Sequence, residues 1–288
     1  VARLVFCDID HTLLSEAGEL LEVNAEAIRR AVDEGVTVVL ATARSYIGAL
    51  PIYEALALET PMIVSNGTLI CKEDGEVMRA EVLEPSLAQE VVETFLATSH
   101  HWAFRTVELA YLHPEFPLLA PHLRDARHYR RIGTEELMDV LGDHGALVSA
   151  SLFSNGHPVR PFYEGYDWRA KGLRASFYPP SHFDPREAMT LIAEWASKGR
   201  AAAWLRRHLG LEDAPVLAIG DSPDDVSMFE LGVGVAPANA SPQARAAADW
   251  LAPASDEGSV AAAFERFVFS AQVEVEVYAD DEQRARAG

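Results

Sequence analysis

Leu4-Val5-Phe6-Cys7 runs directly into Asp8-Ile9-Asp10-His11-Thr12-Leu13, and no other stretch narrows the folding options of this chain as much. An unbroken apolar run of strand length predicts a strand covered on both faces, the habit of parallel sheets. Two carboxylates placed directly after it fall at the strand's carboxyl end, where open α/β sheets hold their ligands. At a period of two, Asp8 and Asp10 project to the same side if the strand continues. Carboxylates that close repel, so one keeps its proton or a cation sits between them. The plain alternative is a turn after a strand, because Asp and Thr favour turns.

The pattern that follows alternates. Asn24 is placed to cap a helix running to about Glu34, which Gly35 stops. Val36 to Ala41 predicts a β-branched strand, a helix follows from about Tyr46 to Leu58, and a third strand over 61–64 ends at Ser65-Asn66-Gly67. Thr68 to Cys71 and Glu76 to Ala80 pair as a hairpin across Glu73-Asp74-Gly75. From about Val82 to about Arg186 the rhythm breaks, and aromatics, prolines and histidines collect. It resumes with Met189 to Trp195, a helix from Gly199 to Leu209, and the strand Val216 to Ile219. A helix from Pro223, a strand from Val233 to Ala236 and a helix from Ser241 complete it. The expected class is α/β: a doubly wound parallel sheet, with a smaller α/β domain inserted. The core spans 1–81 and 187–270, the insert 82–186, and a tail 271–288 whose Val273 to Val277 forms an edge strand or frays.

A second acidic cluster, Gly220-Asp221-Ser222-Pro223-Asp224-Asp225, also follows an apolar strand. If both strands lie near the centre of one parallel sheet, Asp8, Asp10, Asp221 and Asp225 converge on one crevice. Oxygen ligands without His or Cys at ligand spacing favour a hard cation, most simply Mg²⁺. The plain alternative is a helix start: Ser222 as cap, Pro223 at the first helical position, aspartates in the first turn. For Asp224 the capping role and a metal role weigh about equally. Thr42 follows the strand Val38-Val39-Leu40-Ala41, so its hydroxyl is a candidate both to cap a helix and to hold a phosphate. Arg44 beside it is a candidate to support the loop or the ligand. Lys198-Gly199 lies at a strand-to-helix junction, either solvated or neutralising a phosphate.

Charge limits the partners. With a net charge of −20 the chain is poorly suited to nucleic acid or to an anionic membrane surface. An anionic substrate needs a local cation to overcome that field. The two cysteines, Cys7 and Cys71, suggest no disulfide framework. No leader-like opening and no apolar run long enough to span a bilayer is present, so the expected location is the cytoplasm.

Taken in order, Asp8-x-Asp10-x-Thr12-Leu13, Thr42, Lys198-Gly199 and Gly220-Asp221-x-x-x-Asp225 resemble the haloacid dehalogenase superfamily of phosphatases. An insert between the second and third of these motifs, with Asn66-Gly67 just before it, is similar to the Cof-type subgroup with its large α/β cap. The resemblance spans about Leu4 to Ala247 of the core; the insert matches in position and size only. It implies a hydrolase that forms an aspartyl-phosphate on Asp8, with Asp10 as acid and then base. It further implies Mg²⁺ held by Asp8, the Asp10 carbonyl and Asp221 with Asp225 in support, and phosphoryl oxygens bound by Thr42 and Lys198. Asn66, Gly67 and Asn239 are implied as substrate or support residues. His11 stands where the family has Gly, Ala43 where it has Gly, Asp224 where it has Asn, and Pro237 replaces a more flexible residue.

The implied substrate is a small phosphorylated metabolite, a sugar phosphate or phosphorylated cofactor. Phosphomutase-like transfer and a non-catalytic regulatory scaffold are the alternatives. The insert supplies the leaving-group pocket. Its candidates are Arg124, Arg127 and His128 in the cationic run 121–131, and Phe153, Tyr163, Tyr166 and Trp168; a solvated face and a core role respectively are the plainer expectations.

Overall fold

Residues 1–116, 129–144, 146–180 and 185–270 are described by the computed structural model. Along the chain the first elements are β1 (Leu4–Cys7), α1 (Glu22–Asp33), β2 (Thr37–Leu40), α2 (Tyr46–Ala55), β3 (Met62–Val64), β4 (Leu69–Cys71) and β5 (Val77–Ala80). Next come α3 (Pro85–Leu96), β6 (His101–Thr106), β7 (Ala110–Leu112), β8 (Tyr129–Arg131), α4 (Thr134–His144), β9 (Leu147–Phe153), α5 (Arg160–Glu164), β10 (Leu173–Tyr178) and β11 (Ala188–Ala193). The remainder is α6 (Lys198–His208), β12 (Val216–Ile219), α7 (Val226–Phe229), β13 (Val233–Pro237), α8 (Pro242–Ala247), β14 (Trp250–Ala252) and α9 (Ser259–Phe264).

Five strands form a parallel sheet in the order β14-β13-β12-β1-β2. Every residue of β1 and β12 is buried, because helices cover both faces. The period of two sorts the side chains cleanly. Val5, Cys7, Val38, Leu40, Leu217 and Ile219 pack with α1, α2 and α9. Leu4, Phe6, Val39, Val216 and Ala218 pack with α6, α7 and α8 on the other side. From β1 the chain winds toward β2, while β12, β13 and β14 extend the opposite way, so the winding reverses between β1 and β12. Cys7 lies in register with Ile219 there, and the Asp8 amide donates to the Ile219 carbonyl at 2.9 Å. Asp8 and Gly220-Asp221 therefore leave the sheet side by side at its switch point.

A second sheet, β10-β11-β9-β6-β7-β8, is antiparallel except for the β7/β8 pair. Trp102, Phe104, Ala150 and Leu152 face the helix-covered side with Phe95 of α3 and Trp168. The third sheet, β3-β4-β5, is a small antiparallel one.

Several elements differ from the expectation. β3 is not a full strand of the parallel sheet: it touches β2 through one bridge, Ala41 to Ile63, and pairs antiparallel with β4 instead. The strand expected to reopen the core at 187 belongs to the second sheet, where β11 pairs with β10 and β9 from Ala188 to Ala193. Its Met189, Leu191 and Ile192 pack into the cluster around Phe95 and Trp168, so the inserted layer runs past the expected 186/187 boundary. Asn24 does not cap α1. It lies inside that helix, fully buried, donating to the Leu13 carbonyl and accepting from the Ala261 amide. The helix expected at Pro223 begins at Val226. The expected tail strand, 273–277, lies outside the described residues. Among the described residues no helix is long and apolar enough to cross a membrane.

Candidate active site

Asp8 directly follows β1, is 4% exposed and faces a lysine. Lys198 is the first residue of α6, capped by Ser197, whose hydroxyl accepts from the Arg200 amide. Its Nζ donates to Asp8 Oδ1 and to Asp225 Oδ1, each at 2.6 Å. Two glycines permit this approach. A Cβ on Gly199 would sit 1.9 Å from the Ser227 carbonyl oxygen, so the starts of α6 and α7 meet only because residue 199 lacks one. A Cβ on Gly220 would lie 2.4 Å from Asp225 Cβ and Cγ.

Asp225 is fully buried, and its other oxygen is occupied as well. Oδ2 accepts from the Asp221 amide (3.1 Å), the Ser222 amide (2.9 Å) and the Ser222 hydroxyl (2.8 Å). It orients Lys198 and folds the 220–222 turn. Asp221 Oδ1 accepts from the Thr12 hydroxyl at 3.3 Å. Thr42 is fully buried, and its Oγ1 accepts from the Arg44 amide at 3.0 Å, which leaves its own O–H free to donate. The cap of α2 is Ser45 rather than Thr42, because Ser45 Oγ accepts from the Gly48 amide.

Three buried or half-buried carboxylates against one ammonium leave excess negative charge. Burial pushes Asp8 well above the ordinary carboxylate range; Lys198 opposes this, and Asp225 and Asp221 add to it. Asp221 is pushed up to about 6 by burial and by Asp225. Burial works against the Lys198 ammonium, but Asp225 and Asp8 outweigh it and hold the proton on. The carboxyl oxygens of Asp8, Asp221 and Asp225 come within 4.8 Å of one another. This all-oxygen, anionic donor set fits a hard divalent cation such as Mg²⁺. Since both Asp225 oxygens are committed, Asp8 and Asp221 are the carboxylates with oxygen left to offer.

Asp10 stands apart from that trio. The Arg44 guanidinium grips it as a fork, Nη2 to Oδ1 at 2.6 Å and Nε to Oδ2 at 2.8 Å, and Arg44 also reaches the Gly48 carbonyl. His11 takes the left-handed conformation at φ 56°, the position at which the family carries Gly. Asn239 spans two loops, donating to the His11 carbonyl and accepting from the Ser255 amide, so it braces the turn after β1.

Asp224 stands outside the trio of Asp8, Asp221 and Asp225. Its carboxylate accepts from Arg174 Nη1 at 2.5 Å and from the Ser176 hydroxyl at 2.6 Å, both on β10 of the second sheet. Its place one residue before Asp225 aims it outward, away from Lys198. Asn66, also at positive φ, donates to the Tyr178 hydroxyl at 2.6 Å. Gly67 lies against the Ser197 backbone, where a Cβ would meet the carbonyl oxygen at 2.3 Å. The Ser65-Asn66-Gly67 turn thus supports the start of α6.

A cavity of about 360 Å³ lies between Asp10 and Arg44 on one side and the second sheet on the other, with Asn66 at its rim. Phe153 lines it, whereas Trp168 is buried in the sheet's own core and Tyr163 packs on Phe177. Tyr166 lies against Trp168 and is exposed. Arg124, Arg127 and His128 lie outside the described residues. The sequence reading missed Arg105 on the cavity wall, since a lone arginine in a strand looks like a solvated one. It also missed Tyr178, and it named Thr12 only within a motif and Ser222 only as a helix cap, whereas their hydroxyls donate to Asp221 and Asp225.

A parallel core with a carboxylate–lysine centre at its switch point, roofed by an inserted antiparallel sheet, defines a class of capped α/β hydrolases. The chain belongs to the haloacid dehalogenase-like hydrolase family, in its Cof-type group; the family profile matches residues 5–264. It is 26% identical over 285 residues to the phosphatase YwpJ of Bacillus subtilis, covering 90% of this chain and 97% of that one. It is 27% identical over 287 residues to the chloroplastic endoribonuclease YBEY of Arabidopsis thaliana; there the match covers 92% of this chain but only 46% of the relative. Among solved structures, a haloacid dehalogenase-like hydrolase from Bacteroides thetaiotaomicron superposes with a TM-score of 0.73 at 23% identity, covering 92% of this chain and 99% of that one. That likeness carries the fold.

Proposed function

We propose that this hydrolase is a Mg²⁺-dependent phosphomonoesterase acting on a small phosphorylated metabolite through an aspartyl-phosphate. The observation that carries the proposal is the buried Lys198 ammonium held between Asp8 and Asp225 beside Asp221. It orients Asp8 and supplies positive charge where a phosphoryl group would sit, in a chain that is otherwise strongly anionic.

Asp8 Oδ1 is tied to Lys198, which leaves Oδ2 as the attacking oxygen. As its bond to phosphorus forms, the bond from phosphorus to the substrate alcohol breaks. Asp10 gives its proton to that departing oxygen, for which it must first exchange the Arg44 fork for the substrate. It then takes a proton from water, whose oxygen attacks phosphorus and frees Asp8 and inorganic phosphate. The Thr42 hydroxyl and Lys198 donate to the phosphoryl oxygens throughout. Mg²⁺ held by Asp8, Asp221 and the Asp10 carbonyl would offset the charge on the transferring group. The inserted sheet would shield the leaving group and exclude bulk water.

Phosphate release from p-nitrophenyl phosphate and from phosphorylated metabolites, with and without Mg²⁺, tests this. Asp8→Asn should abolish release while leaving the fold intact. Near-normal turnover by that variant would remove the nucleophile. Isomerised product without free phosphate would replace hydrolysis by transfer.

A further inference from the structure

β6 alternates sharply. Trp102, Phe104 and Thr106 are buried, while His101, Ala103 and Arg105 project to the other face, and Ala103 and Arg105 line the cavity. In the ladder Arg105 lies opposite Ser149 of β9 and Ala110 of β7, both also on the cavity wall and both small. Among the described residues, the Arg105 guanidinium makes neither an ion pair nor a hydrogen bond. Burial pushes its pKa down to about 10, and the one group acting against this is the Cys71 thiol. That thiol is itself raised to about 11 by burial, so it carries no charge near neutrality.

The neighbouring cations among the described residues are engaged. Lys198 holds Asp8 and Asp225, Arg44 holds Asp10, and Arg174 holds Asp224. Arg186 lies over the Phe116 and Phe153 rings. Among the described residues, a half-buried guanidinium is thus left without a counter-ion on the cavity wall opposite Asp10, in a chain with 44 acidic residues. Such a group, partly withdrawn from water and lining a cavity, is placed to pair with an anion that enters. Its planar fork suits a carboxylate or a phosphate, and the small residues beside it leave room for one.

We propose that Arg105 binds a second anionic group on the leaving-group half of the substrate, so that preferred substrates are phosphomonoesters whose alcohol portion bears a carboxylate or another phosphate. The inference rests on the phosphatase reading above and adds the substrate class to it.

Two matched pairs separate the anion sources: 3-phosphoglycerate against glycerol 1-phosphate, and fructose 1,6-bisphosphate against fructose 1-phosphate. p-Nitrophenyl phosphate, with no second anion, serves as the baseline. The wild type should favour the anionic member of at least one pair. Arg105→Met should lower kcat/KM for that member by about 10- to 100-fold, mainly through KM, and leave the baseline substrate unchanged. Arg105→Lys should keep part of the preference. If Arg105→Met does not fold, product inhibition of the wild type decides: the alcohol product of the favoured anionic substrate (D-glycerate or fructose 6-phosphate) should inhibit baseline turnover more strongly than its neutral counterpart (glycerol or fructose), and equal inhibition would overturn the proposal. Baseline hydrolysis without preference in either pair, or an equal loss on all substrates in Arg105→Met, would overturn this inference alone. No phosphate release from any probe would overturn the phosphatase reading and this inference with it.

Discussion

Lys198→Met removes one ammonium and little volume from a site with no solvent to replace it. The wild-type Nζ lies 2.6 Å from both Asp8 and Asp225, and the residue is 2% exposed. Removing one partner of a buried ion pair costs about 3–5 kcal/mol, because the other charges stay behind. Protonation is the escape. Burial already holds Asp8 above its ordinary range and Asp221 at about 6, and loss of the ammonium raises both further. The native variant then keeps a proton that the unfolded chain releases near pH 4. With more protons bound in the native state, stability falls as pH rises. The variant's deficit grows by about 1.4 kcal/mol per pH unit for each proton it holds beyond the wild type. Urea denaturation in EDTA at about pH 5 and about pH 7.5 measures this; the deficit should be larger at the higher value. A deficit below about 1 kcal/mol, or one equal at both pH values, would show that Lys198 does not compensate the carboxylates.

Asp10→Asn should slow turnover by roughly 10²- to 10⁴-fold at the optimal pH, and an undiminished rate would end its acid–base role. Gly199→Ala should destabilise the fold by about 1–3 kcal/mol, since its Cβ falls 1.9 Å from the Ser227 carbonyl oxygen; a melting temperature equal to wild type would contradict that packing. Stability conferred by protonated Asp221 is complete below its unfolded pKa and is lost as pH rises through about 6. Mg²⁺ should therefore raise the melting temperature more at about pH 7.5 than at about pH 5, and equal shifts would argue against Asp221 as a ligand.

The strands that seat the site were legible because their residues obey simple rules. Apolar runs ending in Asp8 and Gly220-Asp221 are buried on both faces wherever they occur. Sheet membership was harder to read. Ala188 to Ala193 is an apolar run of the same kind, and only its partners, β9 and β10, place it in the second layer. Asn24 matched a capping pattern, yet its side chain bridges the Leu13 carbonyl of the turn after β1 and the Ala261 amide of α9, partners that only the tertiary fold brings together. The difference between Asp224 and Asp225 is one residue in a turn, which sends the first carboxylate to Arg174 and the second to Lys198. No local pattern announces that split, because it depends on the rotation of the backbone through 222–225.

β10 carries Arg174, Ser176 and Tyr178 at alternate positions, and all three reach across to Asp224 or Asn66. These polar contacts fasten one edge of the roof, while Val148 and Val107 of the second layer pack against the core cluster. Asp224 adjoins the aspartate that steers Lys198, so unfastening that edge disturbs the very turn that supports the reaction. On the proposed mechanism, movement of that edge and the position of Lys198 are linked, and salt, by weakening the Arg174–Asp224 pair, should affect product release and turnover together.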